Sequence, residues 1–259
     1  MGSVMTEKVA LVTGASQRLG RAMTSALAQA GYAAAVHYNT SAGPAERFVA
    51  ELRAAGRPAH AFQADLANAE EASGLIDRVA AAMGPPLVLV NSASVFENDS
   101  ADDFTTDVWQ RHQDVHVRAP ALLAQAMLRH LPAGQEGLIV NMLDEAVMRP
   151  GPSFFSYTVS KAALAAMTEM LAQALGPRVR VNGIAPGLIL NSGHPSEEAF
   201  ERAHRNTLLG RGPGADAVVR ALLYLVEQTE VTGEILYVDA GKRLMQGGKY
   251  LPGKPKGAD

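Results

Sequence analysis

KVALVTGASQRLG, residues 8–20, is the most informative stretch of this sequence. The four apolar residues from Val9 to Val12 are typical of a strand buried on both faces. A turn containing Gly14 follows, and from Leu19 the apolar positions recur at helical spacing. This order predicts a dinucleotide-binding βα unit, because glycine lets the backbone approach a pyrophosphate and the helix N-terminus offers unpaired N–H groups.

Short apolar runs and helical segments continue to alternate along the chain. Because helix-linked apolar strands form parallel sheets, we expect an α/β fold: a single Rossmann-type doubly wound parallel sheet with helices on both faces. We interpret residues 1–259 as a single domain, with a substrate loop at about 187–213 and a flexible tail at about 247–259. Predicted strands cover 9–12, 33–36, 59–62, 87–90, 138–142, 179–184 and 234–238. Predicted helices cover 19–30, 45–54, 69–83, 105–131 with Pro120 as a candidate break, 157–175, 197–205 and 215–227.

The composition excludes several classes of protein. The 259 residues are 47% hydrophobic, and 23 basic against 26 acidic side chains leave no basic field for a nucleic acid. The absence of cysteine excludes disulfides, Cys-ligated metal centres and a thiol nucleophile. The seven histidines lack metal-site spacing, so we expect no metal. No apolar leader core and no run of ~18 apolar residues is visible, so we expect a cytoplasmic protein with no membrane partner.

A second motif indicates the chemistry. Tyr157 and Lys161 stand four residues apart at the start of a predicted helix and share one face. The ammonium is expected to lower the phenol's pKa and make Tyr157 a better proton donor near neutrality. With the turn Thr13–Gly20, these residues resemble the YxxxK and TGxxxGxG motifs of the short-chain dehydrogenase/reductase family. Arg18 stands at the middle glycine, where its guanidinium suits phosphate oxygens.

The residues after the second strand bear on cofactor choice. They read HYNTS, residues 37–41, and contain no acid to accept a bond from a ribose 2′-hydroxyl. A 2′-phosphate would therefore meet no repulsion, and we predict NADPH as the cofactor. His37, Asn39 and Ser41 are the candidate contacts.

Asp144 stands thirteen residues before Tyr157, near where most family members carry a serine. A carboxylate would repel the oxyanion of a ketone but can help to protonate a ring nitrogen. A strand-end cap is the other interpretation of Asp144.

The aspartate and several other residues resemble one subgroup, the pteridine reductases and the dihydromonapterin/dihydrofolate reductases of short-chain type. The shared signs are Arg18, His37-Tyr38, Ser94 with Phe96, the run NMLD at 141–144, and Pro186-Gly187-Leu188. The resemblance spans residues 8–244 or so. It implies that Phe96 stacks on the pterin.

The resemblance implies three sets of site residues. The catalytic residues would be Asp144, Tyr157 and Lys161. The substrate would meet Arg18, Ser94, Phe96, Asp144, Tyr157 and Leu188. The cofactor would meet Gly14, Gln17, Arg18, Leu19, Gly20, His37, Tyr38, Asn39, Ser41, Asp65, Leu66, Asn91, Ser92, Ala93, Tyr157, Lys161, Pro186 and Gly187.

The implied activity is NADPH-dependent reduction of dihydromonapterin or dihydrobiopterin to the tetrahydro form, with dihydrofolate as a further substrate. An NADPH-dependent ketone or 3-oxoacyl reductase is the alternative enzyme, and a non-catalytic NADPH-binding sensor or scaffold is the alternative of another class. The family also implies a homotetramer, or a dimer, packed through the apolar helix at 157–175.

The remaining histidines divide into two groups. His116 replaces a middle-helix asparagine of many family members, and its imidazole could bind the water that the asparagine supports. His112, His130 and His204 are expected at the surface.

Overall fold

The computed structural model describes residues 8–190 and 196–245. Its seven strands form one parallel sheet in the order β3-β2-β1-β4-β5-β6-β7, so the doubly wound fold is confirmed. The strands are β1 Val9–Val12, β2 Ala33–Tyr38, β3 Ala59–Gln63, β4 Pro86–Asn91, β5 Gly137–Met142, β6 Val179–Pro186 and β7 Ile235–Val238.

Helices cover both faces of the sheet. They are α1 Arg18–Gln29, α2 Ala42–Ala54, α3 Ala69–Met83, α4 Thr106–Gln113, α5 Ala119–His130, α6 Phe155–Leu175, α7 Glu197–Arg205 and α8 Ala215–Glu227. Short 3-10 helices cover Glu145–Met148 and Lys242–Leu244. Since side chains alternate along a strand, Val9 and Leu11 join the core under α3 and α5, while Ala10 and Val12 join the core under α1 and α8.

The helical segment predicted at 105–131 is not broken at Pro120. The chain passes from α4 through a π-helical turn at Asp114–Arg118 into α5, with the proline in the first turn of α5. A proline inside an α-helix removes one hydrogen bond and clashes with the carbonyl four residues earlier. The wider π turn directly before Pro120 accommodates both effects.

The chain reverses its direction of strand addition between β1 and β4, which are neighbours in the sheet. The loops after these two strands are tied together, because the hydroxyl Oγ1 of Thr13 accepts bonds from the backbone of Ser92 at 2.8 Å and of Ala93 at 2.9 Å. Ligands of open α/β sheets bind in the crevice at such a switch point.

The structure bears only in part on the predictions about membrane contact, metal binding, oligomer formation and the tail. Among the described residues, no helix has the length and apolarity needed to cross a bilayer, and no cluster of three His, Asp or Glu side chains could hold a metal. The outer side of α6 exposes Val159 at 37% and Met170 at 66%; the tetramer expected through this helix stays a prediction. The tail at 247–259 and residues 191–195 of the substrate loop lie outside the described residues.

Candidate active site

A cleft of about 450 Å³ opens at the carboxyl ends of β1, β4, β5 and β6. It brings together most of the predicted catalytic, substrate and cofactor residues. Those that line it are Gly14, Gln17, Arg18, Leu19, Gly20, Ser92, Ala93, Ser94, Phe96, Asp144, Tyr157, Lys161, Pro186, Gly187 and Leu188.

The remaining predicted cofactor residues do not line this cleft. They lie in the last residues of β2 and β4 or in the loops that follow β2 and β3. Asn39 Nδ2 donates to Asp65 Oδ1 at 3.4 Å, so the loops after β2 and β3 meet there. The set comprises His37, Tyr38, Asn39, Ser41, Asp65, Leu66 and Asn91.

His37 takes a different place from the one predicted. Its ring is 2% exposed and lies beneath the glycine turn, where Nδ1 accepts from the backbone N–H of Gly14 at 3.0 Å. Nε2 lies 3.1 Å from the carbonyl of Ala64, to which it donates. Burial lowers the pKa of His37 to about 4, so the ring is neutral. The predicted contact of this side chain with a 2′-phosphate is therefore wrong; the imidazole supports the turn.

Asn91 has its side chain directed away from the cleft, so its predicted cofactor contact stays a prediction for its backbone. It ends β4 with 5% exposure, and its Nδ2 donates to Asn141 Oδ1 at 2.8 Å. Asn141 Nδ2 in turn donates to Thr168 Oγ1 at 3.0 Å. The side chain of Asn91 thus ties β4 to β5 and, through β5, to α6 below the cleft, rather than lining the cleft itself.

The glycine turn has a backbone geometry that explains its residues. Gly14 has φ of +66°, and a Cβ there would lie 3.0 Å from Ala93 Cα. A Cβ on Gly20 would lie 2.2 Å from the carbonyl oxygen of Gly14, so no larger residue fits. Arg18 adopts φ of +50°, a left-handed conformation that favours glycine. The turn is therefore shaped by close backbone packing.

Asp144, Tyr157 and Lys161 form a connected group on the opposite side of the cleft. The Tyr157 hydroxyl donates to Asp144 Oδ2 at 3.0 Å, and Asp144 Oδ1 accepts from the backbone N–H of Ala146 at 2.8 Å. One oxygen of Asp144 therefore caps the 3-10 helix and the other meets the phenol, so the cap is confirmed and the catalytic role stays a prediction. Lys161 Nζ donates to the carbonyl of Met142 at 2.8 Å and lies 5.7 Å from the Tyr157 ring centroid.

The electrostatics of this group differ from the expectation. Burial, the charge of Asp144 and the hydrogen bond to it all raise the pKa of Tyr157 well above its ordinary value. The predicted lowering by Lys161 is wrong, because the carboxylate is bonded to the phenol whereas the ammonium is bonded to a backbone carbonyl. Burial lowers the pKa of Lys161 to about 8, against the opposing effect of Asp144. Tyr157 therefore remains a neutral phenol at physiological pH.

Aromatic side chains form the wall next to Tyr157. The rings of Phe96 and Phe154 stack at 4.4 Å with an angle of 14° between their planes. Phe96 also meets the ring of Tyr157 nearly at right angles, at 4.8 Å. With 44% of its surface exposed in the cleft, Phe96 offers an apolar ring to a flat ligand.

Two histidines lie behind this wall in contacts that the sequence did not predict. His112 is fully buried, so its prediction as a surface residue is wrong, and it bonds Ser156 Oγ at 2.7 Å. His116 is 1% exposed and bonds Ser160 Oγ at 2.8 Å. His130, by contrast, pairs with Asp77 in a partly exposed position. The four-residue spacing of both the histidines and the serines was the available signal, but it does not reveal which helices face each other.

Further cleft residues also escaped the sequence analysis. They come from the ends of β5 and β6 and from the segment after β7; four of them lie inside the NMLD run or the predicted substrate loop, but none was assigned to the site individually. They are Met142, Leu143, Glu145, Ile189, Leu190 and Lys242.

Comparisons with known proteins place this geometry among enzymes. The crystal structure of FolM alternative dihydrofolate reductase 1 from Brucella canis, complexed with NADP, matches with a TM-score of 0.88 and 38% identity over 93% of this chain and 96% of that one. An uncharacterised oxidoreductase of Methylorubrum extorquens is 34% identical over 93% of this chain and its own full length. A 3-oxoacyl-[acyl-carrier-protein] reductase of Synechocystis is 34% identical over 72% of this chain and 76% of its own.

The family model for short chain dehydrogenases matches residues 8–200. That range contains the glycine turn, the Tyr157 and Lys161 pair and the aspartate bonded to the phenol. The chain therefore belongs to the short-chain dehydrogenase/reductase family and is an oxidoreductase.

Proposed function

We propose that this protein is an NADPH-dependent reductase of pterins, acting on a dihydropterin such as dihydromonapterin or dihydrobiopterin, and on dihydrofolate. The observation that carries the proposal is the 3.0 Å hydrogen bond from the Tyr157 hydroxyl to Asp144. A carboxyl group beside the proton-donating phenol suits a substrate whose reduced atom pair includes a basic nitrogen.

The cleft fits the proposed cofactor at the glycine turn. The N-terminus of α1 has no side-chain cap and no acid in its first turn, and it opens into the cleft through Gln17 and Leu19. The backbone N–H groups and partial positive charge of a helix N-terminus suit a diphosphate. Lys161 and Tyr157 would hold the nicotinamide ribose at the other end. Bound NADPH would supply a hydride to a carbon of the pterin ring.

Proton delivery would fall to Tyr157. The proton leaves the phenol oxygen for the substrate's ring nitrogen, and the carboxylate of Asp144, which accepts the phenol's hydrogen bond at 3.0 Å, would then take up a proton from solvent and pass it to the phenolate. Lys161 is buried close to the phenol, where its ammonium donates to the carbonyl of Met142 at 2.8 Å. Reduction of one C=N bond consumes one hydride and one proton, and this group of residues would supply the proton.

The electrostatics favour reduction over oxidation. A dehydrogenase would need Tyr157 as a phenolate base, but burial and Asp144 raise the pKa of Tyr157 well above its ordinary value. At neutral pH the residue therefore carries the proton that a reduction consumes. The similarity to the alternative dihydrofolate reductase of Brucella canis, whose structure is complexed with NADP, supports the same direction of reaction.

The test is to follow NADPH absorbance with dihydromonapterin, dihydrobiopterin, dihydrofolate and a panel of ketones in parallel, for wild type and Asp144→Asn. Asparagine keeps an oxygen for the Ala146 N–H but cannot carry a proton to Tyr157. We expect pterin turnover in the wild type and a loss of about 100-fold in the variant, as for removal of a general acid–base group. Turnover of ketones but not pterins, unaffected by the substitution, would show that the protein is a carbonyl reductase.

The carbonyl-reductase alternative has its own support in the 34% identical 3-oxoacyl reductase of Synechocystis. It predicts that Asp144 acts only through its cap of the 3-10 helix. Binding of NADPH with no turnover of any compound in the panel would instead indicate a sensor or scaffold. The intact Tyr157 and Lys161 pair speaks against that third outcome.

A further inference from the structure

The segment after β4, residues 92–100, forms no helix or strand, but its pattern of burial is that of an extended chain. Burial alternates along it. Phe96 is exposed in the cleft, its two neighbours Val95 and Glu97 are partly buried, and Asp99 is buried. In an extended chain, successive side chains point to opposite sides, so a shift by one residue would exchange the two sets. The register of this segment therefore decides whether Phe96 faces the cleft.

The backbone on either side of Phe96 is held by histidine rings instead of a neighbouring strand. The N–H of Val95 donates to His116 Nε2 at 3.2 Å, and the N–H of Glu97 donates to His112 Nε2 at 3.4 Å. The two rings stack at 5.7 Å with an angle of 23°. His116 lies in the π-helical turn after α4, and such turns occur frequently at functional sites.

Each ring is fixed at its other nitrogen by a hydroxyl of α6. Ser160 Oγ donates to the carbonyl of Tyr157 at 2.6 Å, so it accepts the Nδ1–H of His116. Ser156 Oγ donates to Asp99, so it accepts the Nδ1–H of His112. Both rings therefore present Nε2 as an acceptor, the form that the backbone N–H groups require.

These contacts join the segment carrying Phe96 to the helix carrying Tyr157. Asp99 completes the connection, because its Oδ1 accepts from the backbone N–H of Ser156 at 3.0 Å. The His116 ring also meets the Tyr157 ring edge-on at 5.4 Å. The segment carrying Phe96 and the helix carrying Tyr157 are thus held at a fixed distance from each other.

We propose that His112 and His116 are positioning residues for substrate binding: they fix the register of residues 94–97 and so hold the Phe96 ring in the cleft. The inference rests on the proposed function in one respect, which is that the substrate is a flat ring stacked on Phe96. Neither histidine touches the reacting atoms, so we expect the loss of their hold on Phe96 to appear first in substrate affinity.

The test compares His116→Asn with His116→Gln. Asparagine can replace Nδ1 toward Ser160 but is too short to reach the Val95 N–H, whereas glutamine can reach it. For His116→Asn we expect KM for the dihydropterin to rise about tenfold, the size expected for one lost hydrogen bond to a buried group, while kcat and the Kd for NADPH stay within about threefold. His116→Gln should restore most of the affinity. His112→Asn should have a smaller effect, since its bond is longer.

A second measurement does not depend on the substrate. Amide hydrogen exchange of the peptide covering residues 92–100 should become about tenfold faster in His116→Asn and remain at the wild-type rate in His130→Asn, a matched control whose ring pairs with Asp77 outside the cleft. If the wild type reduces no pterin, the proposed function fails while the exchange data still test the histidines. Should His116→Asn not fold, Ser160→Ala removes the same anchor from the other side.

Two results would overturn the proposal. One is wild-type exchange and wild-type KM in His116→Asn. The other is an equal loss in kcat, NADPH affinity and pterin affinity together, which would show that the histidine serves only general stability.

Discussion

The two walls of the cleft are both supported by buried histidines, but they are built differently. The cofactor wall is the glycine turn, residues 13–20, whose own glycines allow its shape. His37 supports this turn from below by accepting from the Gly14 N–H at 3.0 Å. The substrate wall is the segment after β4, residues 92–100, which pairs with no described strand. His112 and His116, from another part of the chain, bind its backbone. A turn encoded locally needs one support, whereas a segment without its own hydrogen-bonding partners needs side chains to provide them.

The comparison predicts that substitutions can weaken binding at one wall without weakening it at the other. A substitution in the catalytic group between the walls should instead lower kcat. Tyr157→Phe removes the proton donor and leaves both walls in place. We expect kcat to fall by about 10²- to 10⁴-fold, as for loss of a general acid, and the Kd for NADPH to rise by no more than about tenfold, as for one lost hydrogen bond to the ribose. Single-turnover kinetics measures this, and a variant retaining more than a tenth of wild-type kcat would place proton delivery elsewhere.

Acid should weaken the supports of both walls together. The pKa of His37 is about 4 in the folded protein against 6.5 when exposed, so the unfolded chain binds more protons between these values. Stability from this group is complete above pH 6.5 and is lost as the pH falls toward 4. The free energy of unfolding should therefore drop by about 2 kcal/mol from pH 7 to pH 5 for His37 alone. Burial also lowers the pKa of His112 and His116, which adds to the loss.

Denaturant unfolding at both pH values measures the acid effect. The variant His37→Leu should show a smaller difference between pH 7 and pH 5 than the wild type. A free energy of unfolding that does not change between these pH values would contradict the burial of neutral histidines.

Removing the support of the cofactor wall alone should affect cofactor binding alone. His37→Leu leaves the Gly14 N–H and the Ala64 carbonyl without partners, and we expect the Kd for NADPH to rise about tenfold. At saturating NADPH, KM for the pterin should stay close to wild type, the reverse of the pattern for His116→Asn. His60→Asn is the control, because His60 lies on the exposed side of β3. Equal effects on both ligands would mean that the walls are not independent.

The smallest effect is expected from the surface of the substrate wall itself. Phe96→Leu keeps an apolar side chain but removes the aromatic face, so KM for the pterin should rise roughly three- to tenfold, in line with the energy of aromatic stacking. Phe104→Leu offers the control, since Phe104 is similarly exposed but packs against Trp109 and Phe155. A substrate affinity that responds equally to both substitutions would remove Phe96 from the binding site.

The sequence and the structure agree best where the signal is local. The helices Ala69–Met83, Glu197–Arg205 and Ala215–Glu227 have the predicted bounds, because capping residues and apolar spacing act within one element. Asp144 also lies beside Tyr157 as expected from the motif. The agreement fails at His37 and His112, because the direction of a side chain depends on what packs against it.

By itself, the sequence determined the parallel α/β fold, the glycine turn and the grouping of Asp144, Tyr157 and Lys161, since periodicity and motif spacing act over short stretches of chain. Only the tertiary structure decided the roles of the buried histidines and the raised pKa of Tyr157. The histidine bonds to Ser156 and Ser160 each span 44 residues. Such contacts, and the burial that shifts pKa values, arise only when separate helices pack together.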